Sequence, residues 1–218
     1  MRCIVTAGPT YEPMDEVRRL TNFSTGRLGT ELANFLVSCG HHVTLLRGEQ
    51  ATYSGEGRAQ TVEAFSTTDS LRTRLRSLAD PAVGAVFHAA AVSDFAFGKI
   101  WLRSPDGELS ELKSGKISTR QGALLAELVP TPKILAELRA WYPTAKLLGW
   151  KYEVDGDQAG VLRAAELQLT TCLTDVCVAN GPAYGPGFGL VAAAGARAHA
   201  HLVDEGALFE RLASLLRA

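Results

Sequence analysis

The sequence predicts an α/β protein, a doubly wound and mainly parallel sheet with helices on both faces. Three observations predict it. Short apolar runs alternate with helical patterns along most of the chain, the order that winds parallel strands between helical layers. Those runs are apolar throughout, as in Val83-Gly84-Ala85-Val86-Phe87, which suits strands buried on both sides. A glycine-marked helix start follows the first strand. There, unpaired N–H groups and the positive end of the helix dipole favour an anion.

Taken in order, the first strand is Arg2–Ala7, with Cys3, Ile4 and Val5 at its centre. The next helix covers 28–39, with Leu28, Leu32, Phe35 and Leu36 at helical spacing. Strands follow at 42–46 and, more weakly, at Thr61–Phe65, then a helix over 68–79. The run 83–89 is a central strand. Residues 95–122 then break the alternation with Gly98, Pro105, Gly107, Gly115 and Gly122 among scattered charges, a pattern that predicts a flexible flap. Helices over 132–142 and 158–169 alternate with strands at 146–150 and 175–179. Near the end, runs at 189–193 and 197–203 flank Ala194-Gly195-Ala196 as an antiparallel hairpin. Asp204 caps a last helix through Leu216, with Leu208, Leu212 and Leu215 on one face. The chain reads as one Rossmann-like domain over residues 1–218.

With 218 residues, such a domain buries about 70 % of the surface its unfolded chain exposes. The 22 basic and 23 acidic side chains leave a net charge of −1. That balance argues against nucleic acid or a membrane surface as partner. No apolar run reaches transmembrane length, and Met1-Arg2-Cys3-Ile4 is not a signal peptide. Cys3, Cys39, Cys172 and Cys177 show no CxxC spacing, so reduced thiols and a cytoplasmic location are expected.

The segment between the first strand and helix, TAGPTYEPMDEVRRLTNFSTGRLG, is far longer than an ordinary connection. Thr25-Gly26-Arg27-Leu28-Gly29 matches the second half of a dinucleotide fingerprint. Ser24, Thr25 and Arg27 could surround a phosphate, although glycines at a helix start also serve packing. A nicotinamide cofactor would want an acid after the second strand, where Arg47 stands instead; this disfavours NAD and leaves NADP only weakly supported. A short-chain reductase also needs Tyr-x-x-x-Lys on one helix, but Pro143 separates Tyr142 from Lys146. After the central strand, Ala89-Ala90-Ala91-Val92-Ser93-Asp94-Phe95 offers small residues where open α/β sheets bind ligands. Asp94 could accept from a sugar hydroxyl or a base, or cap a turn. Lys113 and Lys116 lie in the flap, as plain solvated charges or as cations that close over a polyphosphate. The five histidines, His41, His42, His88, His199 and His201, form no metal-ligand set with the cysteines.

Together these segments resemble the phosphopantothenate–cysteine ligase (phosphopantothenoylcysteine synthetase) family, over about residues 3–190. The long segment above resembles its opening signature and AAAVSDF its nucleotide segment. GKIST is similar to its lysine-bearing flap; TPKIL, GWK and VCVAN resemble later motifs. The length resembles the stand-alone bacterial form, without a fused flavin-binding decarboxylase. The resemblance implies amide formation between 4′-phosphopantothenate and L-cysteine through an acyl-nucleotide, using CTP or ATP with Mg²⁺. It implies Asn22 at the acyl-nucleotide, Arg18 on the phosphopantothenate side, and Gly8, Ser24, Gly26 and Gly29 along the phosphates. It further implies Ala91, Asp94, Pro132, Lys133, Ile134 and Leu135 at the nucleotide. Trp150 takes the place of a phenylalanine packed on the nucleotide, and Lys116 is the flap lysine that assists the first step. The family's flap reaches toward a neighbouring subunit, which implies a homodimer.

Some positions depart from the family pattern. Ser118 and Thr119 replace flap lysines, Gln168 and Cys172 replace lysines near the triphosphate or base, and Gly181 replaces an aspartate. Lys99, Lys113, Arg120 or Lys151 would have to make good the missing charge, and the choice between CTP and ATP stays open. A non-catalytic phosphopantothenate- or nucleotide-binding homologue and an NADP-dependent reductase are the alternatives.

Overall fold

A computed structural model describes residues 1–112, 117, 122–193 and 199–217. In chain order the elements are β1 (Arg2–Ala7), β2 (Tyr11–Pro13), β3 (Arg19–Thr21), α1 (Arg27–Ser38), β4 (His42–Gly48), β5 (Thr61–Phe65), α2 (Thr68–Ser77) and β6 (Val83–His88). Then come β7 (Phe95–Arg103), β8 (Leu109–Glu111), β9 (Ala123–Pro130), α3 (Ile134–Trp141), β10 (Lys146–Tyr152), α4 (Gln158–Cys172), β11 (Val176–Asn180), β12 (Phe188–Ala192), β13 (Ala200–Leu202) and α5 (Glu205–Ser214).

The main sheet runs β13-β12-β11-β10-β6-β1-β4-β5. Strands β11 through β5 in that order pair in parallel, and β12 and β13 add an antiparallel edge. The predicted doubly wound sheet and terminal hairpin are both present, while the turn at 194–196 lies outside the described residues. Alternation along each strand divides the core. In β1, Cys3, Val5 and Ala7 face Leu32 and Leu36 of α1 and Leu208 and Leu212 of α5. On the opposite side Ile4 joins Leu71 and Leu75 of α2 and Ile134 and Leu138 of α3. Val161, Ala165 and Leu169 of α4 cover Cys177 and Ala179 on that side too. Each leucine buried this way contributes roughly 1.5–3 kcal/mol. Asp157 and Asp204 accept N–H groups in the first turns of α4 and α5, which fixes where both helices begin.

Strand order reverses between β1 and β6. From β1 the chain winds outward through β4 and β5; from β6 it winds the other way through β10 and β11. Connections therefore leave the carboxyl ends of β1 and β6 in opposite directions, and a crevice opens between them.

Two segments differ from the sequence expectation. The long connection after β1 contains the antiparallel hairpin β2–β3, with the Arg19 guanidinium 4.9 Å from the centre of the Tyr11 ring. The predicted flap is, in its described part, an antiparallel sheet in the order β8-β7-β9. Its third strand extends it to Pro130. Ala123–Pro130 reads ALLAELVP, good helix formers without alternation, and pairing with β7 overrides that preference. The β7–β9 register slips between Phe97 and Ile100, around Gly98, where a bulge fits.

Gly29 sits where α1 crosses β1. A Cβ there would lie 2.7 Å from the Ala7 Cβ and 2.9 Å from the Thr6 carbonyl oxygen. Packing alone therefore requires glycine at this position. Gly29→Ala is expected to cost about 1–3 kcal/mol of stability, read as a lower urea midpoint at unchanged m-value.

Candidate active site

Two backbone hydrogen bonds join the segments that leave β1 and β6. The Ala91 N–H donates to the Gly8 carbonyl (3.0 Å) and the Thr10 N–H to the Ala91 carbonyl (3.1 Å). Gly8 takes φ +84° to turn the chain into this position, a conformation that favours glycine. Asn22 extends the seam, its Nδ2 donating to the Ala91 and Val92 carbonyls at 3.2 and 3.3 Å. Thr10 Oγ1 accepts from Ser93 N (2.8 Å), and Thr131 Oγ1 donates to the Ser93 carbonyl (2.6 Å). These bonds hold residues 89–94 as a shelf across the crevice.

Above the shelf lies a cleft of about 760 Å³. Asn22, Ser24, Ala91 and Asp94 line one part of it, and Pro132, Lys133, Ile134, Leu135 and Trp150 another. Those expected site residues meet in one place. Gly8, Gly26 and Gly29 are not among the residues that line the cleft. Gly26 begins α1 at φ 80°; Arg27 N donates to Thr25 Oγ1 at 3.3 Å, and the next N–H groups of the first turn, at Leu28 and Gly29, have no partner within the helix. His88, Lys151, Gln168 and Asn180 also line the cleft. Of these, no motif singles out His88; the available signal is a polar residue ending an otherwise apolar central strand.

The cations are less concentrated than the sequence suggests. Arg27 turns from the phosphate position to Glu31 (3.0 Å) and Glu205 (2.7 Å), because these carboxylates on α1 and α5 flank it. Arg47 donates to the Tyr53 and Gly55 carbonyls and braces that loop, which removes the main support for an NADP site. The reductase pattern fails as well. Tyr142 is buried with its hydroxyl on the Leu75 carbonyl, and Lys146 Nζ donates to the Leu215 carbonyl at 2.5 Å. Lys133 stands 3.8 Å from Asp94, both open to solvent, and Lys151 pairs with Glu153 at 2.8 Å. Lys99 pairs with Glu111 (3.5 Å) in the flap sheet. Lys113, Lys116, Ser118, Thr119 and Arg120 lie outside the described residues.

Arg18 is not in the cleft wall. Its guanidinium donates to the Ile117 carbonyl (2.6 Å), while Asp15 accepts from Ile117 N at 3.2 Å. Asp15 also accepts from Val17 N (2.9 Å) and Arg18 N (2.6 Å), with its side chain fully screened from solvent (0 % exposed). The hairpin turn thus grips both polar groups of one flap residue, itself 3 % exposed.

Burial, and after it the charge of Lys133, pushes the His88 pKa down to about 4. The imidazole is neutral at pH 7. Burial pushes the Cys177 thiol up to about 12 and the Cys3 thiol to about 11. Neither is a thiolate at neutral pH, so neither serves as a nucleophile. Among the described residues, no three His, Cys, Asp or Glu side chains gather as a metal cage. The site is suited to positioning anions by backbone, amide and lysine groups.

Residues 1–194 match the family described as DNA/pantothenate metabolism flavoprotein C-terminal domain. The coenzyme A biosynthesis bifunctional protein CoaBC of Bacillus subtilis is 32 % identical over 187 residues, covering 85 % of this chain and 42 % of that protein. The chain therefore spans less than half of that curated relative. A crystal structure of the DNA/pantothenate metabolism flavoprotein from Streptococcus pneumoniae shares the fold at a TM-score of 0.84 and 24 % identity, covering 100 % of this chain and 98 % of that one. A Cab2 variant in complex with phosphopantothenate-cysteine does so at 0.74 and 19 %, covering 99 % and 86 %.

The Asp15 grip has a pH signature. N–H donation, most of all from Val17, lowers the Asp15 pKa. A depressed carboxylate contributes its stabilisation above the unfolded value of about 3.9, and loses it as pH falls through the lower folded value. The Ile117 amide resonance is expected to titrate with a midpoint below about 3.9, and Asp15→Ala to abolish that titration.

Proposed function

Because the chain belongs to the DNA/pantothenate metabolism flavoprotein C-terminal domain family, we propose that it is a phosphopantothenate–cysteine ligase acting in the cytoplasm. The observation that carries the reading is the meeting of Asn22, Ala91, Asp94, Lys133 and Trp150 around one cleft at the strand-order reversal. These are the positions where the family resemblance puts the acyl-nucleotide and the nucleotide.

A carboxylate is a poor acyl donor because oxide would have to leave. In the first step a carboxylate oxygen of 4′-phosphopantothenate attacks the α-phosphorus of CTP or ATP. A P–O bond forms, the α–β anhydride bond breaks and pyrophosphate departs. In the second step the cysteine amine attacks the acyl carbon. The C–N bond forms, the acyl C–O bond breaks, the amine loses a proton and the nucleoside monophosphate leaves. No protein nucleophile is needed, so alignment and stabilisation of phosphate charge do most of the catalysis.

Asn22 holds the intermediate through its side-chain amide, anchored on the shelf by Nδ2, with Oδ1 unbonded among the described residues. The first-turn N–H groups of Leu28 and Gly29 in α1, with Lys133, receive the phosphates. Lys116, outside the described residues, assists the first step, and Arg18 supports the phosphopantothenate side once it leaves Ile117. Mg²⁺ would ride mainly on the triphosphate and neutralise its charge. The solvent-open Asp94 carboxylate, only loosely paired with Lys133, fits as its protein contact.

A homodimer completes the proposal. Phe95 and Leu128 are exposed on one face of β7 and β9, since Phe97, two residues after Phe95, is the register partner of Leu128. This is an apolar surface of the kind that a second copy would cover. Light scattering should give twice the monomer mass, and Leu128→Glu is expected to shift the protein toward monomer.

Purified protein with Mg²⁺, both substrates and either CTP or ATP should release pyrophosphate. Absence of release with both nucleotides, alongside binding of phosphopantothenate, would replace the ligase reading with that of a non-catalytic binding homologue. Asn22→Asp puts negative charge beside phosphate and is expected to lower kcat on the order of 10²-fold.

A further inference from the structure

We propose that His88 and Gln168 read the base of the nucleotide, as a hydrogen-bond donor beside an acceptor. The edge they select is an amino group next to an unprotonated ring nitrogen. Cytosine and adenine carry that edge, whereas uracil and guanine present a carbonyl next to a ring N–H. This rests on the nucleotide-binding reading of the cleft.

The donor follows from Thr6. His88 ends β6 on the face covered by α3, is 6 % exposed and lines the cleft. Its Nδ1 lies 3.1 Å from Thr6 Oγ1. Thr6 is fully buried and its oxygen already accepts the Ala90 N–H at 3.0 Å. A buried hydroxyl proton needs an acceptor. Among the described residues, the one recorded for Thr6 is His88 Nδ1. Thr6 therefore donates, Nδ1 accepts and the ring proton sits on Nε2, leaving an N–H for the cleft. Burial keeps the ring neutral down to about pH 4, so this donor persists at physiological pH.

The acceptor follows from Gln168. Gly149 on β10 is the register partner of His88, and a Cβ at Gly149 would lie 2.4 Å from Gln168 Nε2. Glycine thus lets the amide lie over the strand next to His88. Gln168 Nε2 donates to Cys177 Sγ at 3.0 Å, and the protonated thiol directs its own hydrogen to the Val178 carbonyl. The bond to Cys177 fixes the amide with one Nε2 hydrogen, and Oε1 is the acceptor it offers a ligand amine. A uracil or guanine edge would set its ring N–H against the His88 N–H, leaving both donors unpaired in a part-buried site.

The test measures equilibrium binding of CTP, ATP, UTP and GTP with Mg²⁺ by calorimetry, before any acid substrate is added. CTP and ATP are expected to bind at least 10-fold more tightly than UTP and GTP. His88→Leu should collapse the difference to within about 3-fold. His88→Gln, which keeps an N–H donor, should retain discrimination if the leucine variant fails to fold. Equal binding of all four nucleotides, preference for UTP or GTP, or unchanged discrimination in folded His88→Leu would each overturn the proposal. Discrimination without later pyrophosphate release would sink the ligase reading alone. Release at equal rates with all four nucleotides would sink the base-reading proposal alone.

Discussion

The functional architecture depends on a backbone seam. Where strand order reverses between β1 and β6, the chain would ordinarily diverge and leave an open crevice. Here the Ala91 N–H and carbonyl bond to Gly8 and Thr10, and Asn22 Nδ2 adds contacts to Ala91 and Val92. The opening segment of the chain is thereby held against the segment after the central strand, although the two are far apart in sequence. Backbone groups make this seam, so the side chains around it are free to meet a ligand. Glycine at position 8 supplies the positive φ that turns the chain back.

Charge in and around the cleft is arranged sparingly. Arg27 and Arg47, which a motif reading places on a phosphate or a ribose, are instead tied to Glu205 and to loop carbonyls. Among the described residues, what remains facing the cleft is Lys133, Lys151, one carboxylate and a set of neutral amide, imidazole and backbone groups. Neutral groups fixed by neighbours keep their orientation when a charged ligand enters, which is the condition for electrostatic preorganisation. Among the described residues, Trp150 Nε1 and Asn180 Oδ1, on side chains that line the cleft, are buried without partners.

Much of this was legible from residue patterns, and the limits have physical causes. The parallel strands announce themselves because strands covered on both faces carry uninterrupted apolar runs, as in β6 and β11. The capped helices announce themselves through Asp157 and Asp204. The strand β9 does not, since Ala, Leu and Glu favour helix and only pairing with β7 makes them extended. Among cleft residues, Ala91 and Asp94 are legible because they follow the apolar central strand, and Asn22 through the resemblance of its long segment to the family's opening signature. Arg27 misleads because its carboxylate partner on α5 lies 178 residues away, beyond any local pattern. The grip of Asp15 and Arg18 on Ile117 joins residues about a hundred positions apart and was equally invisible. His88 escapes for a different reason: its significance comes from the tautomer that Thr6 imposes, which only the folded geometry reveals.

The central claim is that the cleft brings a carboxylate to the α-phosphorus of a nucleotide before an amine arrives. The most direct measurement follows oxygen. With 4′-phosphopantothenate labelled by ¹⁸O in its carboxylate, turnover with cysteine should leave one labelled oxygen in the phosphate of the released nucleoside monophosphate, seen by mass spectrometry. Label found in inorganic phosphate, or absent from the nucleoside monophosphate, would contradict that order of bond making and breaking.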